Sequence, residues 1–347
     1  MVKRLPESTQ LLYSQLLDEL LRAAYSARGI TFVTREVKGN RYHYMDYVIG
    51  STRQSYYLGP DEPELRERVE AANGRWARDS ASKEERARLV SMLRAGNAVT
   101  LPSGHARVLE ALAQAGVFVV GGVVVGSHAY ALMANALGVR WDRSTLRTQD
   151  VDLAHDYEIH VTVPDTDVAI EKALERADKG FFAVPALNRK HPSTTFKLRG
   201  AELSVSLVTP MRGPPDSTPK RVPSLNAMAK PLRFLDYLLD DVQPAAVPVR
   251  SGVLVNIPSP ARFALHKLVV SQRRPAAFET KAAKDVQQAC EVLTLLLDER
   301  PGDVLLALDA AGEMAPKFMK QLRAGIERMG GDVASELERL LDNRQED

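Results

Sequence analysis

The sequence predicts an α/β (α+β) fold: a core with a mixed sheet, a helical domain after it, and an accessory helix-and-hairpin region before it. Three observations carry that expectation. Residues 101–258 alternate Val-rich extended runs with helical ones, the pattern of a layered α/β core. From Pro260 onward the apolar spacing is helical throughout. Before residue 100, one helical stretch gives way to aromatic and β-branched runs punctuated by Gly39-Asn40 and Gly50-Ser51. The expected division is therefore an accessory region at 1–100, a core at 101–258 and a helical domain at 259–347.

The elements follow in order. Leu12, Leu16, Leu20 and Ala23 recur at helical spacing, with Ser8 placed as an N-cap. The run from Glu36 to Leu65 reads as short antiparallel strands, and Glu62 to Ala95 as a charged helix in two pieces, broken near Asp79-Ser80. "GVFVVGGVVVG" (116–126) reads as extended and buried. "SHAYALMANALG" reads as a helix from Ser127 to Gly138. "VDLAHDYEIHVTVP" reads as strand, "DTDVAIEKALERAD" as helix and "AELSVSLVTP" as an alternating strand. Met211 to Pro223 carries four prolines with Arg212, Lys220 and Arg221, so it reads as a loop. "VPVRSGVLVNIP" supplies a further strand or two before the helices.

Composition excludes more than it selects. A net charge of +2 over 347 residues carries no polycationic signature, and 45% hydrophobic residues suffice for more than one core. Cys290 is the only cysteine, so an internal disulfide and a cysteine zinc site are both excluded, in keeping with a reducing cytoplasm. The N-terminal residues lack the apolar core of a signal peptide, and Val117–Val125 is too short to span a bilayer. A soluble, cytoplasmic protein is expected.

Chemistry concentrates in two places. Gly126-Ser127 ends a buried strand and opens a helix, whose free N–H groups and partial positive charge can receive a phosphate. Asp150 and Asp152 stand two apart in an otherwise apolar strand, so they share a face roughly 6–7 Å apart. Like charges that close repel unless a cation lies between them. Taken singly, Gly-Ser is a common structural turn and the aspartates are a solvated strand face. Together they are what metal-assisted phosphoryl or nucleotidyl transfer needs: one element for the phosphates, another for divalent cations.

These residues resemble the nucleotidyltransferase superfamily of the DNA polymerase β type. Its signature is an apolar residue, Gly-Gly or Gly-Ser, a helix, then Asp-apolar-Asp/Glu-apolar. Here those positions are Val125, Gly126 and Ser127, then Asp150, Val151, Asp152 and Leu153. More narrowly the chain looks like a bacterial subgroup of nucleotidyltransferase-fold proteins, through "RYHYMDYVIGSTRQSYYLGP" and "SPARFALHKLVVSQRR…KAAKDVQQA". More distantly it is similar to nucleotidyltransferase toxins of abortive-infection systems. The resemblance implies a nucleotidyltransferase core, a nucleoside triphosphate (NTP) substrate, and Mg²⁺ or Mn²⁺ held by Asp150 and Asp152. Gly126 and Ser127 would hold phosphate.

Two departures stand out. The interval between Gly-Ser and the acids is long, and the stretch Trp141 to Gln149 reads as a loop over the site's mouth. Where the pattern places a third carboxylate, before Leu207, the chain has Ser206. Glu202 lies on the same strand face but about 13 Å away by strand rise, so it substitutes only if the strand ends or bulges.

After Pro260, Lys267, Ser271 and Arg274 share a helical face, with His266, Val270 and Arg273 adjacent; Lys281, Lys284, Asp285 and Gln288 share another. Lys267 sits in an apolar segment where a buried amine wants an anionic partner, so it is expected on a nucleotide phosphate, with Arg274 and Lys284 beside it. Lys284 and Asp285 read equally as a structural ion pair, and His266 as a core histidine. Tyr42, His43, Tyr44, Tyr47, Tyr56 and Tyr57 are interleaved with Arg35, Lys38, Arg41 and Arg53. On an exposed hairpin, segment 35–57 would stack on unpaired bases of RNA, tRNA included, with the Arg212–Arg221 loop completing a channel. The competing reading has the tyrosines as core with wet hydroxyls.

Two functions follow from the sequence. The first is metal-dependent transfer of a nucleoside monophosphate from an NTP to a hydroxyl of RNA, protein or a small molecule, with Asp150, Asp152 and Lys267 as the catalytic set. The second is a catalytically reduced nucleotide- or nucleic-acid-binding module, in a defence or toxin–antitoxin setting, which Ser206 favours. A hydrolase has no candidate nucleophile or histidine cluster.

Overall fold

The computed structural model describes residues 2–26, 30–37, 40–49, 52–141, 149–158, 168–186 and 191–343. Its N-terminal region holds β1 (Lys3–Arg4), α1 (Glu7–Ser26), β2 (Ile30–Val37), β3 (Asn40–Ile49), β4 (Thr52–Pro60) and α2 (Pro63–Ala95). Tyr13, Leu16 and Leu20 place one apolar stripe along α1, which packs on Leu89, Val90 and Leu93 of α2. The helix starts at Glu7, one residue ahead of the expected cap. Strands β2, β3 and β4 form an antiparallel sheet in that order; β3 and β4 fall within the expected run from Glu36 to Leu65, and β2 lies almost wholly before it.

The expected break near Asp79-Ser80 is corrected, because α2 runs unbroken for 33 residues. Neither residue removes a backbone donor as proline would, and each costs only a few tenths of a kcal/mol in a helix (about 0.5).

The core comprises α3 (Ser103–Gln114), β5 (Val123–Val125), α4 (Gly126–Ala136), β6 (Val139–Arg140) and β7 (Asp150–Ala154). It continues through α5 (Ile170–Ala177), β8 (Phe181–Ala183), β9 (Thr195–Leu198), β10 (Ser204–Pro210), β11 (Lys220–Val222) and β12 (Ala227–Leu232). Then come α6 (Leu235–Leu239), β13 (Val242–Val247) and β14 (Val253–Pro258). The helical end is α7 (Pro260–Ser271), α8 (Glu279–Glu299), α9 (Pro301–Gly312), α10 (Pro316–Met329) and α11 (Gly331–Asn343).

The sheet is mixed, in the order β11-β12-β10-β7-β5, with β8 and β9 attached through β10. Strand β7 lies between β10 and β5, parallel to the first and antiparallel to the second. Val151 and Leu153 are buried on one face of β7; Asp150 and Asp152 alternate onto the other, which is open at Asp150 and closes by Ala154.

One expected strand is much shorter than the Val-rich run suggests. Of residues 116–126, Val123–Val125 alone form a strand. Gly116 and Gly121 have φ of +83° and +99°, conformations that wind the chain into turns, and the Gly122 N–H closes on the Val117 carbonyl at 2.9 Å. Asn256 secures the turn by donating to the carbonyls of Phe118 and Gly122 at 2.8 and 2.9 Å.

A continuous apolar cluster joins the sheet to the helical end, with Val124, Tyr130 and Met133 in the same cluster as Phe263, Leu268 and Leu293. The Tyr130 hydroxyl donates to Glu291 of α8, a further tie between α4 and the helical end. No described helix is long and apolar enough to cross a membrane.

Candidate functional site

Strand β5 delivers the chain to a tight corner. Val125 is extended and pairs with Asp152, and Gly126 then adopts φ +67° as the first residue of α4. A Cβ at Gly126 would lie 2.7 Å from Asp152 Oδ2. Glycine is therefore required twice, by the backbone conformation and by the carboxylate pressed against it. No side chain caps the start of α4, and the Asp152 carboxylate lies against its first residue.

Asp150 and Asp152 share one face of β7 and line one cavity of about 500 Å³ with Gly126 and Ser127. Asp150 is exposed at the mouth and Asp152 lies deeper, with part of its surface still open. Burial, and secondarily the charge of Asp150, push the Asp152 carboxyl up to about 6, while Lys267, Lys281 and Arg274 pull the other way. Two carboxylates this crowded gain from a cation, and an all-oxygen donor set suits a hard divalent ion. Among the described residues no group of three or more His, Cys, Asp or Glu stands close enough to hold a metal.

Helices α7 and α8 and the connection between them supply the rest of the lining: Lys267 from α7, Arg274 from the connection, and Lys281, Lys284 and Asp285 from α8. Asp285 is 3% exposed and accepts from Lys267 Nζ and Arg274 Nε, both at 2.5 Å. Burial alone would raise the Asp285 carboxyl, but Lys267 and then Arg274 outweigh it and hold the group below the ordinary carboxylate range. Lys284 donates to Ser127 Oγ at 3.1 Å, tying α8 to the start of α4. Burial, then the neighbouring Lys267, lowers the Lys284 amine.

The structure thus gathers Gly126, Ser127, Asp150, Asp152, Lys267, Arg274 and Lys284 around one space. It differs from the sequence reading in the partner of Asp285: the ion pair that forms is with Lys267 and Arg274 rather than Lys284. Ser271 turns away and donates to its own helix at Leu268 O. His266 keeps an edge at the surface while its Nε2 is sealed without a partner. Arg273 lies over the ring of Phe234, outside the cavity.

Ser206 stands beside Asp152 in register on β10, at 3.3 Å from the Thr195 hydroxyl. Ser204, opposite Asp150, donates its hydroxyl to that carboxylate. Glu202 precedes β10, which begins at Ser204; it accepts from Gln149 and does not line the cavity. Of the stretch read as a covering loop, residues 142–148 lie outside the described residues. Trp141 is buried, its indole donating to the Tyr130 carbonyl, and Gln149 lines the cavity.

The expected loop from Met211 to Pro223 is corrected in part: Lys220–Val222 form β11, paired with β12, and the residues before it are irregular. Arg212 is clamped by Asp156 at 2.7 and 2.8 Å and by Glu158 at 3.0 Å. Asp156 follows the last residue of β7, and Arg212 follows the last residue of the parallel strand β10, so this pair lies at the end of the sheet away from Asp150. Lys220 is paired with Asp216 at 2.7 Å.

In the accessory sheet the tyrosines divide by strand alternation. Tyr42 and Tyr44 meet Tyr57 with ring centroids 6.0 and 5.5 Å away, and Arg35 lies over Tyr44 at 4.7 Å. Tyr57 is 51% exposed. His43 points the other way, buried against Thr34 and Asp61. Lys38 and the side chains of Tyr47, Arg53 and Tyr56 lie outside the described residues.

Sequence reasoning left Lys281 and Gln149 out of the site. Their signals were position alone: Lys281 one turn before Lys284 and Asp285, Gln149 immediately before Asp150. It also passed over His105 and His128, whose rings lie 4.8 Å apart. Burial, then His105, pushes the His128 imidazole down to about 3.

A family model described as nucleotidyltransferase matches residues 103–312, more than half of the chain. No curated protein and no solved structure matches it.

Proposed function

The chain belongs to a nucleotidyltransferase family, and on that premise we propose that it moves a nucleoside monophosphate from an NTP to a hydroxyl acceptor. Family membership carries the general role in nucleotidyl transfer; the residue roles are our reading. One observation supports them above the rest. Asp152 abuts the uncapped start of α4, and with Asp150 it shares a cavity with four cationic side chains.

In this reading Asp150 and Asp152 hold Mg²⁺ or Mn²⁺, which supplies charge neutralisation for the phosphates when bound. The N–H groups opening α4, with Ser127 and Lys284, receive phosphate oxygens. Lys267 and Arg274, held in place by Asp285, face the same phosphates with positive charge. The acceptor oxygen forms a bond to the α-phosphorus as the bond to pyrophosphate breaks, and the hydroxyl proton passes to solvent. Among acceptors we favour RNA, because Tyr42, Tyr44 and Tyr57 with Arg35 offer the accessory sheet a stacking surface.

A second reading is favoured by Ser206, which stands at the register position beside Asp152 and bonds Thr195. It keeps the fold as a nucleotide-binding module without turnover. Incubation with labelled NTPs, Mg²⁺ or Mn²⁺, and cellular RNA or protein separates the two. Label should move to the acceptor and vanish with Asp150→Asn or Asp152→Asn; transfer surviving both substitutions defeats the mechanism. Metal-independent nucleotide binding without transfer establishes the module instead.

A further inference from the structure

The described residues lining the site cavity are glycine or polar: Gly126, Ser127, Gln149, the three aspartates and the four cations. Such walls suit a triphosphate and a metal and offer a nucleobase no apolar face. A base attached to phosphates bound there must find its surface at the rim. One ring is there. Phe278 ends the short 3-10 turn Ala276–Phe278 between α7 and α8, and is 48% exposed. The ammonium of Lys281, a cavity-lining residue, lies over this ring at 5.6 Å from its centroid. Arg274, another lining residue, lies four positions earlier in the same connection.

An exposed apolar side chain by itself means little, since folded surfaces carry many. Phe278 differs in its place: an open aromatic face, reached by a cation that also reaches the phosphate site. Lys281 over one face of the ring leaves an edge and a face for a planar partner, and cation and aromatic together suit a base bearing a negatively charged tail. Stacking needs no base-specific hydrogen bond, because every base has a π-face.

We propose that Phe278 is the base-stacking residue of the site: the nucleobase of the bound NTP lies on its ring, at the rim, with Lys281 bridging ring and phosphates. The inference rests on the nucleotide-binding reading above and adds where the base goes. It carries a consequence for specificity. With stacking as the main contact, purine triphosphates bind more tightly than pyrimidine ones through their larger ring area, without strict selection of one base.

The test compares ATP, UTP and inorganic tripolyphosphate, each with Mg²⁺, by calorimetric titration of the full chain and its variants. Phe278→Ala should weaken ATP about 10- to 100-fold, the usual loss for one base–aromatic stack, and leave tripolyphosphate unchanged. Phe278→Tyr should restore ATP binding. Phe278→Trp gives a second readout: ATP should quench the added indole and tripolyphosphate should not. Equal ATP affinity in Phe278→Ala, or an equal loss for tripolyphosphate, overturns the stacking role while leaving the nucleotide site intact. If the unaltered chain binds neither ATP nor tripolyphosphate, the nucleotide reading itself falls and this inference with it.

Discussion

Removing the Asp285 carboxylate is the sharpest test of how the cationic wall is built. Asp285 accepts from Lys267 and Arg274 at 2.5 Å each, with Lys267 8% exposed and the Arg274 side chain 29% exposed. Asp285→Ala leaves the Lys267 ammonium without its counter-charge in a nearly closed setting, while Arg274 keeps part of its hydration. Breaking a buried pair on one side costs about 3–5 kcal/mol, and the partial exposure of Arg274 puts this case near the lower bound, about 3. That is a loss of more than a hundredfold in the folded-to-unfolded ratio. Because the Asp285 carboxyl is held below its ordinary range, its contribution is complete above the unfolded value of 3.8 and is lost as pH falls through the folded one. Urea unfolding at neutral pH therefore reads it in full. Lys267→Met with Asp285→Leu should recover much of the loss, since both desolvated charges are then gone. A single variant within about 1 kcal/mol of the parent, or a double variant whose loss equals the sum of the singles, would refute the coupling.

Two further outcomes are expected. Gly126→Ala forces a Cβ to 2.7 Å from Asp152 Oδ2 at φ +67°, so it should cost about 1–2 kcal/mol in urea unfolding and weaken Mn²⁺ binding as the carboxylate is displaced; unchanged metal titration would show that the corner does not position Asp152. Burial, then Lys267, pushes the His266 imidazole down to about 3, so between that value and the unfolded 6.5 the unfolded chain binds the extra proton. Stability should fall with pH below about 6.5, by up to ~1.4 kcal/mol per pH unit for this group, and His266→Gln should flatten the slope; an identical slope would remove His266 as its source.

The sequence by itself determined what depends on local periodicity and local chemistry. The leucines of α1 at helical spacing, the aromatic runs of β3 and β4 and the helical run from Pro260 each set an element without reference to the rest of the chain. So did Gly126-Ser127 opening a helix and the two-residue spacing that puts Asp150 and Asp152 on one face. Tertiary structure decided everything that needs two distant segments to meet. Which cation Asp285 holds follows from the crossing of α7 and α8; in the sequence its chain neighbour Lys284 stood as one alternative partner. That Gly126 must be bare follows from the register of β5 on β7, which lays a carboxylate against it. Arg212, a cation in a proline loop, looked free for a ligand until the parallel pairing of β7 and β10 carried it to Asp156 at the far end of the sheet. The reason is common to all three: periodicity tells a side chain which face it occupies, and only the packing of that face tells it what it touches.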